Sequence, residues 1–325
     1  MLPLKFIPIY FERVWGGREL ETRLGRALPP NLRIGESREI TDRPEAVSII
    51  ADGEFKGLDF RQTLKLRGEE IMGPGWERSR RFPLIVKWLD CSLASSLQVH
   101  PTAETAKKFG GEAKTEAWFF FSSAPGAMVY AGLKPEATPE KILRASEDGS
   151  VESLIERLEI RTGDCLLLES GTVHAAGAGN LILEVQQSSD TTFRLFDWNR
   201  LDAAGFPRRL HVAESVESIR FPQRQALAPR HVPAGSSGEL CACGEFSMRK
   251  LFLPRGARWE IAAGEQPRIV AALDGEVSFA CESGETSILP AETVLVPWAT
   301  TGSFTAERDT QLIITENFHH RQKPH

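Results

Sequence analysis

Three short stretches carry residues that could bind one divalent cation. Gln98-Val-His100-Pro101 places an amide and an imidazole two residues apart. On a strand, positions i and i+2 point to the same face, so both can reach one ion. Lys114-Thr-Glu116-Ala-Trp118 opens an apolar run with a carboxylate, and Gly171-Thr-Val-His174-Ala sets a second imidazole beside a turn. Two imidazoles, one carboxylate and one amide oxygen suit Zn²⁺ with an open position for water or substrate. With only one anionic ligand the ion would keep net positive charge and act as a Lewis acid. Taken singly, His100 or His174 reads as an ordinary polar turn residue, and their company raises them above that. His211 and His231 lie near connecting segments, and His319, His320 and His325 lie in a polar tail, so these five read as ordinary polar positions.

A second group follows: Glu184-Val-Gln-Gln-Ser-Ser-Asp190, then Arg194, Asp197 and Arg200. A carboxylate ending an apolar strand is either salt-bridged or held in a pocket with a raised pKa. Arg194, among Phe193, Leu195 and Phe196, is expected to be buried and paired, with Asp190 or Asp197 as the partner if the pair is a structural one. A purely structural ion pair is the alternative.

Strands must position these groups. Runs at 83–90, 117–121, 164–168 and 180–185 are apolar, short and bounded by Gly, Pro, Ser or Asp. Helices are expected over 57–73, from the Thr138 cap and Pro139 onward, and over 151–159, the last two forming an insertion at about 136–159. Asp274-Gly reads as a hairpin turn. A weak internal repeat matches Gly163–Gly171 to Ala291–Ala299, each an acidic residue, an aliphatic strand and a turn. It sets His174 opposite Gly302, and the second copy offers no His/Glu cluster. The grammar predicts a mainly β protein of two cupin-type jelly-roll barrels. Residues 1–225 would form a metal-binding domain and 239–325 a second domain without ligands, joined by a linker over 226–238.

Composition narrows the function. A formal net charge of −5 over 325 residues argues against nucleic acid as a partner. No apolar run is long enough for a membrane span. The first ten residues lack the pattern of a secretory signal, and five scattered cysteines do not form a disulfide framework, so a cytoplasmic location is expected.

Taken in order, the motifs resemble those of the type I phosphomannose isomerases, zinc-dependent cupin enzymes. The resemblance rests on Val14-Trp15-Gly16-Gly17, Gly35-Glu36-Ser37 with Glu39-Ile40, and Ser96-Leu-Gln-Val-His-Pro101. It continues through Lys114-Thr-Glu116 before Trp118, Gly171-Thr-Val-His-Ala175, and Ser189-Asp190 leading to Arg194. These cover residues 14–200. The resemblance implies one Zn²⁺ held by Gln98, His100, Glu116 and His174. It implies Lys114, Glu184 and Arg194 as catalytic polar groups, and Ser96, Trp15 and Glu36 as substrate-binding residues. Arg38 departs from the family, which often has Trp there, and Ala117 stands where Cys is often seen. The implied reaction interconverts mannose 6-phosphate and fructose 6-phosphate through a Zn-stabilised cis-enediol. Glu184 is the expected base, with Lys114 or a metal-bound water as alternatives. Other readings of the same residues are an isomerase of unphosphorylated mannose, a non-catalytic sugar-binding cupin, and an Fe(II) cupin oxygenase. The last normally uses more histidines.

Overall fold

The computed structural model describes residues 1–202, 204–221 and 227–319. Ala226 of the expected linker, the expected boundary at 225, and His320 and His325 lie outside the described residues. The chain forms two compact units that interleave in sequence: Met1–Ile9, Arg38–Val86 and His231–Pro324 in one, and Tyr10–Ser37 and Lys87–Arg230 in the other. The N-terminal strand and residues 38–86 thus cluster with the C-terminal third, an arrangement that no single linker describes.

In the unit built on residues 87–230, one sheet runs Asp164–Leu168, Glu116–Ser123, Asn180–Gln187, Leu84–Cys91 in neighbour order. A second runs Ile155–Glu159, Met128–Leu133, Val173–Ala176, Leu97–Val99, Phe193–Phe196. Their inner faces share a core of Trp118, Phe120, Val129, Ala131, Leu166 and Ile182. The outer face of the second sheet buries Leu97, Val99, Val173 and Ala175 with Ile142 and Val216, which come from the helices Pro139–Asp148 and Val212–Ser218. Strict alternation therefore sends Gln98 and His174 inward, because their neighbours are committed to the helices outside. The helix at 139–148 forms as expected: the Thr138 side chain accepts from the Lys141 N–H, and Pro139 occupies the first turn.

The other unit repeats this plan. Thr293–Val296, Arg268–Asp274, Thr310–Glu316 and Ser247–Leu253 are neighbours in one sheet, and Gly284–Ile288, Val277–Cys281, Gly302–Ala306 and Arg258–Ile261 in the other. Between them lies a core of Val270, Phe279, Val294, Phe304 and Ile314. The repeat is therefore real at the level of strand order. Even its entry turn is shared, since Gly163 and Ala291 both take positive φ, 91° and 64°. The helix expected over 57–73 is present as Phe60–Met72 and packs Phe60 between Phe6 and Phe82.

Two expectations fail. Residues 151–159 are not a second helix: Val151–Leu154 is one 3₁₀ turn and Ile155–Glu159 is a strand paired with Met128–Leu133. Ile155 and Leu158 share a face on a helix but serve opposite faces of this sheet, one in each hydrophobic cluster. Asp274-Gly275 is not a hairpin turn. It carries the chain from one sheet to the other, Arg268–Asp274 pairing with Thr293–Val296 and Thr310–Glu316, and Val277–Cys281 with Gly284–Ile288 and Gly302–Ala306.

Candidate metal centre

His100, Glu116 and His174 converge at one end of the first barrel, their ligand atoms all within 4.8 Å of one another. Glu116 begins its strand opposite Leu168 and Gln186. His174 lies opposite Gln98 on one side and Ala131 on the other. His100 follows the Leu97–Val99 strand, and its carbonyl accepts from the Gly171 N–H at 2.8 Å, which ties the two histidine loops together. Only glycine suits position 171: φ is +86°, and a Cβ there would meet the Arg220 side chain at 2.7 Å.

Each imidazole is oriented by a backbone carbonyl. His100 Nδ1 lies 3.0 Å from the Thr191 carbonyl and His174 Nδ1 2.9 Å from that of Thr172. A carbonyl can only accept, so each Nδ1 carries the proton and each Nε2 presents a lone pair inward. Both Nε2 atoms lie 3.2 Å from a Glu116 oxygen. The Ser189-Asp190 motif explains itself here. The Thr191 N–H donates to Ser189 Oγ, which itself donates to the Glu112 carbonyl, and this holds the loop that orients His100.

Electrostatics sharpen the site. Burial, reinforced by the Lys114 charge, pushes His100 down to about 3, so it is neutral at ordinary pH. Burial opposes charge on Glu116, but the Lys114 ammonium at 2.9 Å outweighs it and holds the carboxyl well below its usual range. The neutral His100 Nε2 thus faces a carboxylate, with the His174 Nε2 beside it. His100 Nε2 and Glu116 Oε1 are buried without an aligned hydrogen bond, while Glu116 Oε2 has the Lys114 ammonium at 2.9 Å. Acceptors packed against acceptors in a dry pocket are unfavourable unless a cation lies among them. The residues therefore fit a metal ion. Gln98 stands at the same place, its side-chain amide 3.2 Å from His174 Nε2, and a half-turn of that amide presents its oxygen.

Glu184 faces the same interior one register step along, opposite Trp118. Its oxygens take the Trp118 indole N–H at 3.1 Å and the Lys87 ammonium at 2.8 Å. Burial and then the nearby Glu116 charge raise its pKa, against the pull of Lys87 and Lys114. Lys114 is itself pushed up: burial opposes its charge, but Glu116 and Glu184 overcome that. Lys87 escaped the sequence reading. Its signal was a lone cation at an inward position, in step with Leu89 and Cys91, in a strand buried end to end.

The remaining candidates are less central. Ser96 is buried, with its hydroxyl 3.4 Å from Gln98 Oε1. Trp15 packs in the barrel core with Trp118, and Glu36 accepts from Arg13 Nε at 2.9 Å. Arg194 lies opposite Gln98 and so on the same sheet face. It is not paired as expected: its guanidinium donates to the Arg209 carbonyl, while Asp197 is taken by Arg200 and Arg208. The side chain at 38 is an arginine buried in the other unit, and the structure gives no account of why.

Two jelly-roll barrels, one with a buried His/Glu/His cluster at its end, define a cupin with one metal-capable site among the described residues. The family profile of the phosphomannose isomerase type I catalytic domain matches residues 4–123. Mannose-6-phosphate isomerase ManA of Bacillus subtilis is 31% identical over 310 residues, 89% of this chain and 93% of that one. A mannose-6-phosphate isomerase of Streptococcus mutans is 35% identical over 219 residues, 67% and 68% of the two chains. Among solved structures, the mannose 6-phosphate isomerase of Bacillus subtilis superposes with a TM-score of 0.86 at 27% identity, covering 97% of this chain and 99% of that one. The chain belongs to the type I phosphomannose isomerase family.

Proposed function

We propose that this barrel end interconverts mannose 6-phosphate and fructose 6-phosphate, and that Gln98, His100, Glu116 and His174 hold Zn²⁺ there. The observation that carries the metal is the meeting of two oriented imidazole lone pairs with a buried carboxylate. The substrate follows from family membership together with the acidic and basic groups around the site. When bound, the ion would supply Lewis acidity toward the sugar's carbonyl and hydroxyl oxygens.

The protein's own groups account for the proton movement. An aldose–ketose isomerisation shifts a proton between C1 and C2 through a cis-enediol, which needs a base on one face. Glu184 is that base: its raised pKa brings a buried carboxyl toward the working range, and Lys87 and Trp118 fix its orientation. Lys114, cationic and buried, stabilises negative charge developing on substrate oxygen. Arg194, opposite Gln98 in the sheet, supplies positive charge, and family membership supports Ser96, Trp15 and Glu36 as the substrate-binding residues. Local cations of this kind admit an anionic sugar to a chain of net negative charge.

A coupled assay with mannose 6-phosphate and with mannose, before and after chelation, tests the reading. Turnover of the phosphorylated sugar alone, lost on chelation and restored by Zn²⁺, is expected. Equal turnover of mannose would replace the substrate assignment with the unphosphorylated one, and no turnover of either sugar would remove both. No helix among the described residues is long and apolar enough to cross a membrane. Cytoplasmic residence is part of the same proposal and rests on the sequence.

A further inference from the structure

The strand carrying Arg194 ends in a backbone conformation that amino acids with side chains rarely adopt. Trp198 and Asn199 follow one another with φ of 56° and 53°. Asparagine tolerates this region, but for a bulky tryptophan it is an outlier that the surroundings must enforce. What they enforce is visible. The Trp198 indole N–H donates to the Ser95 carbonyl at 2.6 Å, and Arg200 Nη1 donates to the Ala94 carbonyl at 2.6 Å. One turn thus grips two consecutive carbonyls immediately before Ser96.

The grip is itself anchored. Asp197, buried at the start of the turn, accepts from Arg200 Nε at 3.0 Å and from Arg208 Nε at 2.6 Å. The Trp198 ring packs against Tyr130 and Phe196, with centroids 5.0 and 5.5 Å apart. From the other side, Ser95 exchanges backbone and side-chain hydrogen bonds with Ala176, two residues beyond His174. The 94–96 segment is therefore pinned between the His174 strand and the strained turn. Ser96 is the first residue released from it, and its hydroxyl reaches toward Gln98.

We propose that Trp198 and Arg200 are positioning residues that set the Ser96 hydroxyl for the substrate, so that the turn governs substrate binding and not proton transfer. This rests on the isomerase reading above. Neither side chain has a contact with the His/Glu cluster, and both act on backbone that leads to Ser96. The hydrogen bond to the Ser95 carbonyl and the packing of the ring on Tyr130 and Phe196 hold Trp198 in that conformation.

Trp198→Phe keeps the ring packing and removes the donor. It should raise KM for mannose 6-phosphate about ten-fold, with kcat within about two-fold and bound zinc unchanged. Binding of mannitol 6-phosphate, which lacks the carbonyl, should weaken by the same factor, and Ser96→Ala should match it. Because both changes act through one hydroxyl, the double variant Ser96→Ala/Trp198→Phe should be no worse than Ser96→Ala alone. An unchanged KM, a fall confined to kcat, or additive losses would overturn the proposal. If the wild-type protein turns over neither sugar, the isomerase reading fails, and equal binding of mannitol 6-phosphate by wild type and Trp198→Phe would then remove the clamp as well. Arg200→Lys, which keeps the charge but not the fork held by Asp197, gives a second variant with the same expected split.

Discussion

The two barrels share a strand order and differ at one end. In the first, Glu116 lies opposite Leu168, and Glu184 opposite Trp118. In the second, Arg268 stands opposite Val296 where Glu116 would be, and Ile314 opposite Val270 where Glu184 would be. His174 opposite Gln98 becomes Gly302 opposite Ile261. The second barrel pairs its buried Arg268 internally, with Arg268 Nε donating to Glu316 Oε1 at 2.8 Å. The first leaves acceptors facing acceptors. A duplicated scaffold can thus be filled either with apolar side chains and a closed ion pair, or with a set of groups that could hold a cation. The backbone is indifferent to the choice, because both fillings satisfy the same alternation.

The largest effect should come from turning one end into the other. Glu116→Arg with Gln186→Glu installs the arginine–glutamate pair of the second barrel in the first. We expect a folded protein with no bound metal by elemental analysis and kcat/KM lowered by roughly 10³-fold or more. Retained metal at wild-type stoichiometry would show that Glu116 is not a ligand. Next, Glu184→Gln should keep its metal and lose about 10²- to 10⁴-fold in rate, as removal of a general base does. Near wild-type turnover would reassign the base, with Lys114 the next candidate.

Lys87 addresses stability. Lys87→Met leaves Glu184 as an uncompensated buried carboxylate, at a cost of about 3–5 kcal/mol in denaturant unfolding. Lys87→Met with Glu184→Ile copies the Ile314 solution and should restore most of that stability while activity stays lost. A double variant as unstable as the single would mean that packing and not charge is at stake. The smallest effect belongs to the second barrel. Burial opposes charge on Glu316, but Arg249 and Arg268 outweigh it and lower its pKa. Its stabilisation is therefore present above the usual carboxylate pKa and is lost as pH falls through the folded value. Glu316→Gln should lower stability at neutral pH by about 1–3 kcal/mol. It should flatten the acid limb of the stability curve and leave isomerase kinetics unchanged. Altered kinetics would mean that the second barrel does more than support.

Much of this was legible in the chain. Gln98 and His100 two apart, with apolar Leu97 and Val99 between and beside them, announce a strand with one polar face. The turn at Gly163 and its partner at Ala291 announce the repeat. The misread segments were those where two periods compete: residues 151–159 carry apolar positions that suit a helix, and only pairing with Met128–Leu133 selects the strand. The partner of Arg194 was misjudged because Asp197 has two nearer arginines, one of them, Arg208, brought in by a loop. Lys87 was overlooked because a single cation in an apolar run gains meaning only when a carboxylate is found facing it.

What the sequence determined by itself is the inventory and its parity: which donors exist, which face each must take, and which copy of the repeat carries them. These are local properties, set by side-chain chemistry and by the two-residue period of a strand. Only the tertiary structure decided that Gln98, His100, Glu116 and His174 meet, that Thr191 and Thr172 turn both imidazoles inward, and that Lys87 finds Glu184. Convergence depends on strand register and loop closure across many intervening residues. It also depends on burial, which gives unpaired lone pairs their cost and so makes a cation's place among them specific.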